Sequence, residues 1–231
     1  TQGFADILRI GYQNRPRLFD LNIRKPDSIV SCVVEVAERL DADGNVLVAP
    51  DADHVRRDLE ALRESGIESL AICLLHAYRN SVHERMIEEI ARAVGFEEIS
   101  LSSRVAPLMK IVSRGDTTAL DAYLNPVLRG YVRRLRSALG KESGSDLRIL
   151  TSAGGLVDAN RFLGKDSILS GPAGGVVGFS QVAAAAGFEK ALAFDLGGTS
   201  TDVARVDGQS DLPYETDKSG IRSVAPLMAI E

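Results

Sequence analysis

Only two cysteines occur among the 231 residues, Cys32 and Cys73, each in an apolar context. Neither a disulfide framework nor a Cys-x-x-Cys zinc or redox site can be built from them, and a reducing, cytoplasmic setting is the expectation. No run of 18 apolar residues is present. The opening Thr1-Gln2-Gly3-Phe4-Ala5-Asp6 lacks both the basic and the apolar regions of a signal peptide, so membrane insertion and secretion are not expected. Basic runs are missing too: 27 Lys and Arg stand against 32 Asp and Glu, for a net charge of −5, and no nucleic-acid partner is expected. Histidine is scarce, with His54 and His83 reading as surface residues. No His, Cys and carboxylate spacing marks a metal cluster. Internal repeats and low-complexity tracts are absent.

What is present is a chain with 45% hydrophobic and 26% charged residues, enough for a real core in one large domain or two modest ones. It starts without Met and stops inside the apolar run Val224-Ala225-Pro226-Leu227-Met228-Ala229-Ile230, so the expectation is a piece of a longer protein. From Asp51 or Asp53 as N-cap, Val55, Leu59 and Leu62 recur at helical spacing until Gly66. A buried strand follows over Ser69–Leu75. Ser81-Val82-His83-Glu84 then reads as a capping box opening a helix through Met86, Ile90 and Val94 to Gly95. Glu97–Leu101 reads as another strand, giving the α-β-α-β alternation of a layered α/β domain. Beyond Pro107 the pattern predicts a helix from about Thr117 to Leu139, a solvated loop at Lys141–Asp146, a strand Leu147–Thr151 and a helix Pro172–Ala186. The best division of the chain lies near residue 106.

The most informative stretch runs from Ala191 to Val206, ALAFDLGGTSTDVARV, and reads as strand, tight polar turn, strand. Gly197 and Gly198 let a turn approach a phosphate closely, its amides can converge on an anion, and the hydroxyls of Thr199, Ser200 and Thr201 add donors. The carboxylates of Asp195 and Asp202 can hold a hydrated Mg²⁺. A hairpin whose glycines serve only positive φ explains the glycines but not three hydroxyls between two aspartates. No Gly-Lys-Ser/Thr follows, so this is not a P-loop. The DxGGTxxD pattern resembles the phosphate loops of the actin, Hsp70 and sugar-kinase ATPases. A second cluster, Ser170-Gly171-Pro172-Ala173-Gly174-Gly175-Val176-Val177-Gly178, opens the helix before that hairpin. Its GxxGGxxG order is not the Rossmann spacing, and close helix packing accounts for it equally well. It resembles the Gly/Ala-rich connecting helix of the actin-like superfamily.

Read end to end, the chain resembles the hydantoinase/oxoprolinase family. The blocks are GFADILRIG (3–11), LNIRKP (21–26), HAYR (76–79), SRGDTT (113–118), SAGGL (152–156), SGPAGGVVG (170–178) and DLGGTSTD (195–202). The RGDTT and GKDSILSGPAGG versions lean toward the 5-oxoprolinase type over N-methylhydantoinase or acetone carboxylase-type relatives. The resemblance implies an α/β fold in which an actin/Hsp70-like (ribonuclease H-like) ATPase lobe, residues 107–231, follows a smaller α/β module, residues 1–106. It implies an ATP- and Mg²⁺-dependent enzyme that opens the lactam ring of 5-oxoproline to glutamate. Asp195 would hold the Mg²⁺ shell or orient a nucleophile, and Gly197, Gly198, Thr199 and Ser200 would bind phosphate oxygens, joined by Thr201. Asp202 would share the catalytic work or anchor the turn. Gly171, Gly174 and Gly175 would face the nucleotide. On the substrate side stand His76, Arg114 and Asp116, each with a structural alternative: anchoring for His76, and for Asp116 capping of a helix from Thr117. The expected partners are a small cyclic amide and the remainder of the parent chain, which supplies the other phosphate loop and the ring-opening portion; a homo-oligomer is expected. A non-catalytic actin-like nucleotide module is the reading from a different class.

Overall fold

The computed structural model describes residues 1–12, 19–22, 28–139, 147–198, 201–207, 213, 215–218, 221–228 and 230. In chain order its elements are α1 (Ile7–Ile10), β1 (Arg39–Leu40), β2 (Val46–Val48), α2 (Ala52–Glu64), β3 (Ser69–Ile72), α3 (Val82–Val94), β4 (Glu98–Leu101), α4 (Ser102–Val105) and α5 (Ile111–Leu139). There follow β5 (Arg148–Leu150), β6 (Leu156–Asp158), a 3₁₀ turn (Gly164–Asp166), α6 (Ser170–Ala185), β7 (Lys190–Leu196), β8 (Thr201–Asp207), β9 (Thr216–Lys218) and β10 (Ile221–Ser223). Two compact units emerge: Thr1–Val127 with Asp217–Val224, and Leu128–Thr216 with Ala225–Glu231.

In the first unit the expected alternation is present. The Asp51 carboxylate accepts hydrogen bonds from the amides of Asp53 (2.9 Å) and His54 (3.0 Å) and so caps α2. These bonds, the one to His54 foremost, hold its carboxyl below the usual range. Strands β3 and β4 pair in parallel from Ser69↔Glu98 to Ile72↔Leu101, with α3 as the crossover. Gly95, at φ 104°, ends α3 in the left-handed conformation that suits glycine. The core is Val55 and Leu59 of α2, Leu70 and Ile72 of β3, Ile87 of α3 and Leu101 of β4.

Three local expectations fail here, each for a physical reason. Ser81 makes no side-chain cap; Asn80 accepts from the Val82 amide instead, and the Glu84 carboxylate turns inward. His83 is not on the surface: it is 4% exposed, with Nδ1 2.6 Å from Glu38 Oε2. The third concerns α5, which begins at Ile111 rather than Thr117, so Arg114 and Asp116 lie within the helix and Asp116 does not cap it. Gly115 gives room there to the Leu8 side chain, whose Cδ2 would lie 2.6 Å from a Cβ and would have to turn aside for one. The β-branched Thr117 and Thr118 fit the helix by donating their hydroxyls to the carbonyls of Ser113 and Arg114 four residues back, 2.6 Å each.

The second unit holds two hairpins and a helix. β5 and β6 pair antiparallel from Arg148↔Asp158 to Leu150↔Leu156. β7 and β8 pair antiparallel from Lys190↔Asp207 to Leu196↔Thr201, which is the hairpin expected over 191–206. Helix α6 covers one face of it: Ala173 and Val176 pack against Ala204 and Val206.

Candidate functional site

Residues that alternate along a strand share a face, and directly opposed residues of an antiparallel pair share it too. Ala191, Ala193 and Asp195 oppose Val206, Ala204 and Asp202. Asp195 and Asp202 therefore project on the face that carries α6, at the turn end of the hairpin. A Cβ built on Gly175, in the early part of α6, would lie 4.0 Å from Asp195 Oδ2, so the two glycine-rich motifs meet at this carboxylate. Gly174 leaves room for Leu150, whose side chain would be 3.1 Å from a Cβ there, whereas Gly171 faces open space. Gly197 and Gly198 follow β7, and Thr201 opens β8. Thr199 and Ser200 lie outside the described residues. Gly198 has no positive φ, and a Cβ on it would meet nothing within 4 Å. Its backbone is open without a conformational reason for glycine. At the far end of the hairpin Asp207 accepts from Arg205 (2.6 Å) and pairs with Lys190 (3.3 Å), contacts that hold its carboxyl below the usual range.

The second group of expected residues sits in the first unit. Arg114 is fully buried, and its guanidinium donates to the carbonyls of Leu74, Leu75 (2.8 Å), Leu108 and Met109 (3.3 Å). Its Nε has no partner. The same guanidinium lies 5.5 Å from the centre of the Tyr78 ring, and the His76 ring stands 6.0 Å from Tyr78 on centroids. His76 Nδ1 is buried without a partner. Arg114 and His76 thus come together through Tyr78, while Asp116 is half-buried on α5.

Sequence reasoning missed the residues that hold this loop. Glu84 accepts from the Leu74 amide (3.0 Å), Ser102 Oγ (2.6 Å) and the Ser103 amide (2.9 Å). Glu38 accepts from the Thr1 hydroxyl, whose oxygen in turn accepts from the Leu75 amide (2.9 Å). The Cys73 thiol between them is pushed up by burial, against the pull of the Arg114 charge. A signal existed: Glu84, Ile87, Glu88 and Ala91 recur at helical spacing and are all buried, so the two glutamates lie on the inward face. In the second unit Ser152 does similar work. Its hydroxyl donates to the Asp166 carbonyl (2.8 Å) and accepts from the Leu169 amide (2.9 Å), fixing the approach to α6.

The class is now defined: an α/β protein whose glycine turn is flanked by two opposed aspartates and backed by a small-residue helix. Residues 114–231 match the hydantoinase/oxoprolinase family and residues 1–95 its N-terminal region. The chain belongs to the hydantoinase/oxoprolinase family. It is 39% identical to a 5-oxoprolinase of Saccharomyces cerevisiae over its whole length, covering 20% of that protein. Two solved structures are similar over the whole chain at 26% identity, each with 35% of its own chain covered. One is an ATP-dependent caprolactamase from Pseudomonas jessenii, with a TM-score of 0.83; the other is a nucleotide-free acetone carboxylase, with a TM-score of 0.82. The chain spans about a fifth of the length of its curated relatives. Among the described residues no helix is long and apolar enough to cross a membrane.

Proposed function

We propose that the parent protein is an ATP-dependent 5-oxoprolinase, opening the lactam of 5-oxoproline to glutamate, and that this chain contributes one phosphate-binding hairpin of an actin/Hsp70-like (ribonuclease H-like) lobe. The observation that carries the reading is the opposed Asp195–Asp202 pair at the mouth of the glycine turn. Kinship with a 5-oxoprolinase and fold likeness to an ATP-dependent caprolactamase support it. A division of the family regions near residue 106 is part of the proposal, supported by matches that end at 95 and resume at 114, while the compact units part at Val127. The cytoplasm is the proposed setting, supported by two free cysteines.

Among the described residues no group of three or more His, Cys, Asp and Glu could enclose a metal ion. Mg²⁺ does not need one, since it keeps several waters and takes one or two carboxylates together with substrate phosphates. Asp195 and Asp202 fit that role, and Mg²⁺ bound there would neutralise phosphate charge. Open backbone at Gly197, Gly198 and Thr201 binds phosphate oxygens, and the motif assigns the same role to Thr199 and Ser200. Gly171 and Gly175 keep side chains out of the nucleotide's path, whereas Gly174 gives its space to Leu150. An amide nitrogen is a poor leaving group; transfer of the terminal phosphoryl group from ATP to the lactam oxygen releases ADP and makes the ring carbon electrophilic. Water adds to that carbon, with Asp195 orienting the attack. C–N cleavage with a proton passed to nitrogen then opens the ring to an acyl phosphate, and a second water releases phosphate to leave glutamate. Arg114, spent on four carbonyls, acts as a positioning residue for the loop that presents His76 to the substrate, and Asp116 stands on the same helix. The test is an assay of the purified parent protein with 5-oxoproline, reading ADP and glutamate together. Coupled release is the expected result. Opening of N-methylhydantoin with none of 5-oxoproline would move the assignment to that branch of the family, and no binding of Mg-ATP would remove the enzymatic reading.

A further inference from the structure

Beside β3 the first unit contains a cavity of about 470 Å³. It touches every residue from Ser69 to Leu74 and none of β4. Successive side chains of a strand point to opposite faces, so a cavity that meets six in a row runs along an edge, not across a face. That edge has no ladder partner among the described residues. Val55 and Leu59 of α2 line the cavity on one side of the sheet, Ala119 and Ala122 of α5 on the other. Residues 29–36, Ile-Val-Ser-Cys-Val-Val-Glu-Val, form a further wall. Though rich in β-branched residues, they belong to no ladder among the described residues, and Val33 and Val34 are 53% and 42% exposed.

We propose that this groove is the seat of an added β-strand, an extended apolar segment of the parent chain from outside these 231 residues, hydrogen-bonded to the free edge of β3. Parallel sheets are interior structures covered by helices on both faces. β3 and β4 have that cover from α2 and α3 on one face; on the other α5 reaches β4, where the Ser100 hydroxyl donates to Asp121 (2.7 Å), while Ala71 of β3 is left exposed and the sheet stops at two strands. β3 also reads Ser-Leu-Ala-Ile, without the charge, proline or bulge that blunts a true edge. Main-chain pairing with an incoming segment would satisfy it, with side-chain pockets on both faces giving register. A second copy is a poorer occupant, because β3 lies recessed between helices and two recessed edges cannot meet. The parent chain has the material, since the relatives extend over about five times this length.

The experiment uses the full parent protein. A photoreactive benzoylphenylalanine in place of Val33, at the exposed rim, is expected to crosslink to a segment of the same chain outside residues 1–231. Amide exchange of the unmodified protein over 69–74 is expected to be on the order of 100-fold slower than over an exposed turn, matching β4. The thiol introduced by Ala71→Cys, read by mass spectrometry, should be alkylated far more slowly than that introduced by Glu64→Cys on α2. A crosslink within residues 1–231, rapid exchange over 69–74, or alkylation of the Ala71→Cys protein at the rate of the Glu64→Cys control overturns the proposal. Protection that fades on dilution, marking a second copy, or after extraction of apolar molecules, marking a small ligand, overturns it equally.

Discussion

In the first unit Glu84 and Arg114 are fully buried, and each is held by three or four partners drawn mostly from the backbone of neighbouring loops. In the second, Asp195 stands exposed directly opposite Asp202, with Leu192, Phe194 and Leu196 open on the other face of the same strand. Charge in the one place closes a loop; in the other it is left for something outside the protein. The difference separates residues that shape the molecule from residues that can do chemistry, although both kinds lie in motifs that look equally functional in the sequence. RGDTT and DLGGTSTD are both rich in charge and hydroxyl. In the first Arg114, Thr117 and Thr118 are buried; in the second Asp195 and Thr201 are exposed.

The sharpest way to break that contrast is Asp195→Asn in the parent enzyme. The substitution keeps size and removes charge, so turnover should fall on the order of 10²-fold or more while nucleotide affinity and melting temperature change little. Wild-type turnover at saturating ATP and 5-oxoproline would show that the catalytic carboxylate lies elsewhere. Arg114→Leu should do the reverse. Stranding the carbonyls that Arg114 serves, that of Leu74 buried and the others partly so, costs about 2 kcal/mol or more, visible in denaturant unfolding. In the fraction that remains folded, KM for 5-oxoproline rises as the His76 loop loosens, while turnover falls far less than with Asp195→Asn.

Smaller effects sharpen the comparison. Like charges directly opposed across an antiparallel pair repel, so Asp202→Asn in the ligand-free protein should stabilise the hairpin by a few tenths of a kcal/mol, read as a higher melting temperature. A fall would mean that Asp202 anchors the turn. Glu88 gives a pH signature. Burial pushes its carboxyl up, but bonds from Arg104 and Arg92 (2.8 Å) outweigh this and hold it below the usual range. Its contribution is therefore complete above the unfolded-state pKa and is lost as pH falls through the lower folded value. Glu88→Gln should reduce the loss of stability between neutral and acid pH, measured as melting temperature against pH, and leave the alkaline side unchanged.

The sequence made α2 legible because Asp51, the spacing of Val55 and Leu59, and Gly66 agree on where the helix starts, faces and stops. The hairpin of β7 and β8 was legible for a comparable reason, two apolar runs about a glycine turn. Elsewhere local chemistry misled. Arg114-Gly115-Asp116 reads as loop, and the glycine inside α5 sits against the Leu8 side chain, a neighbour distant in sequence. His83 and Glu84 read as a solvated helix start because their partners, Glu38, Leu74 and Ser102, are distant in sequence. Of the candidate site, the flanking of the glycine turn by Asp195 and Asp202 was legible, whereas their direct opposition rests on the register of the hairpin. The approach of Gly175 to Asp195 depends on how α6 packs, which no local pattern encodes.

The fork of Arg114 also bears on how inherited or laboratory variants in this family should be judged. Two of its nitrogens serve carbonyls of two separate loops, at Leu74–Leu75 and Leu108–Met109, from one rigid plane. Lysine keeps the positive charge but offers its donors from a single point and cannot span both loops at once. Arg114→Lys, which a substitution matrix scores as mild, belongs with the damaging changes, whereas exchanges at exposed arginines such as Arg56 on α2 belong with the tolerated ones.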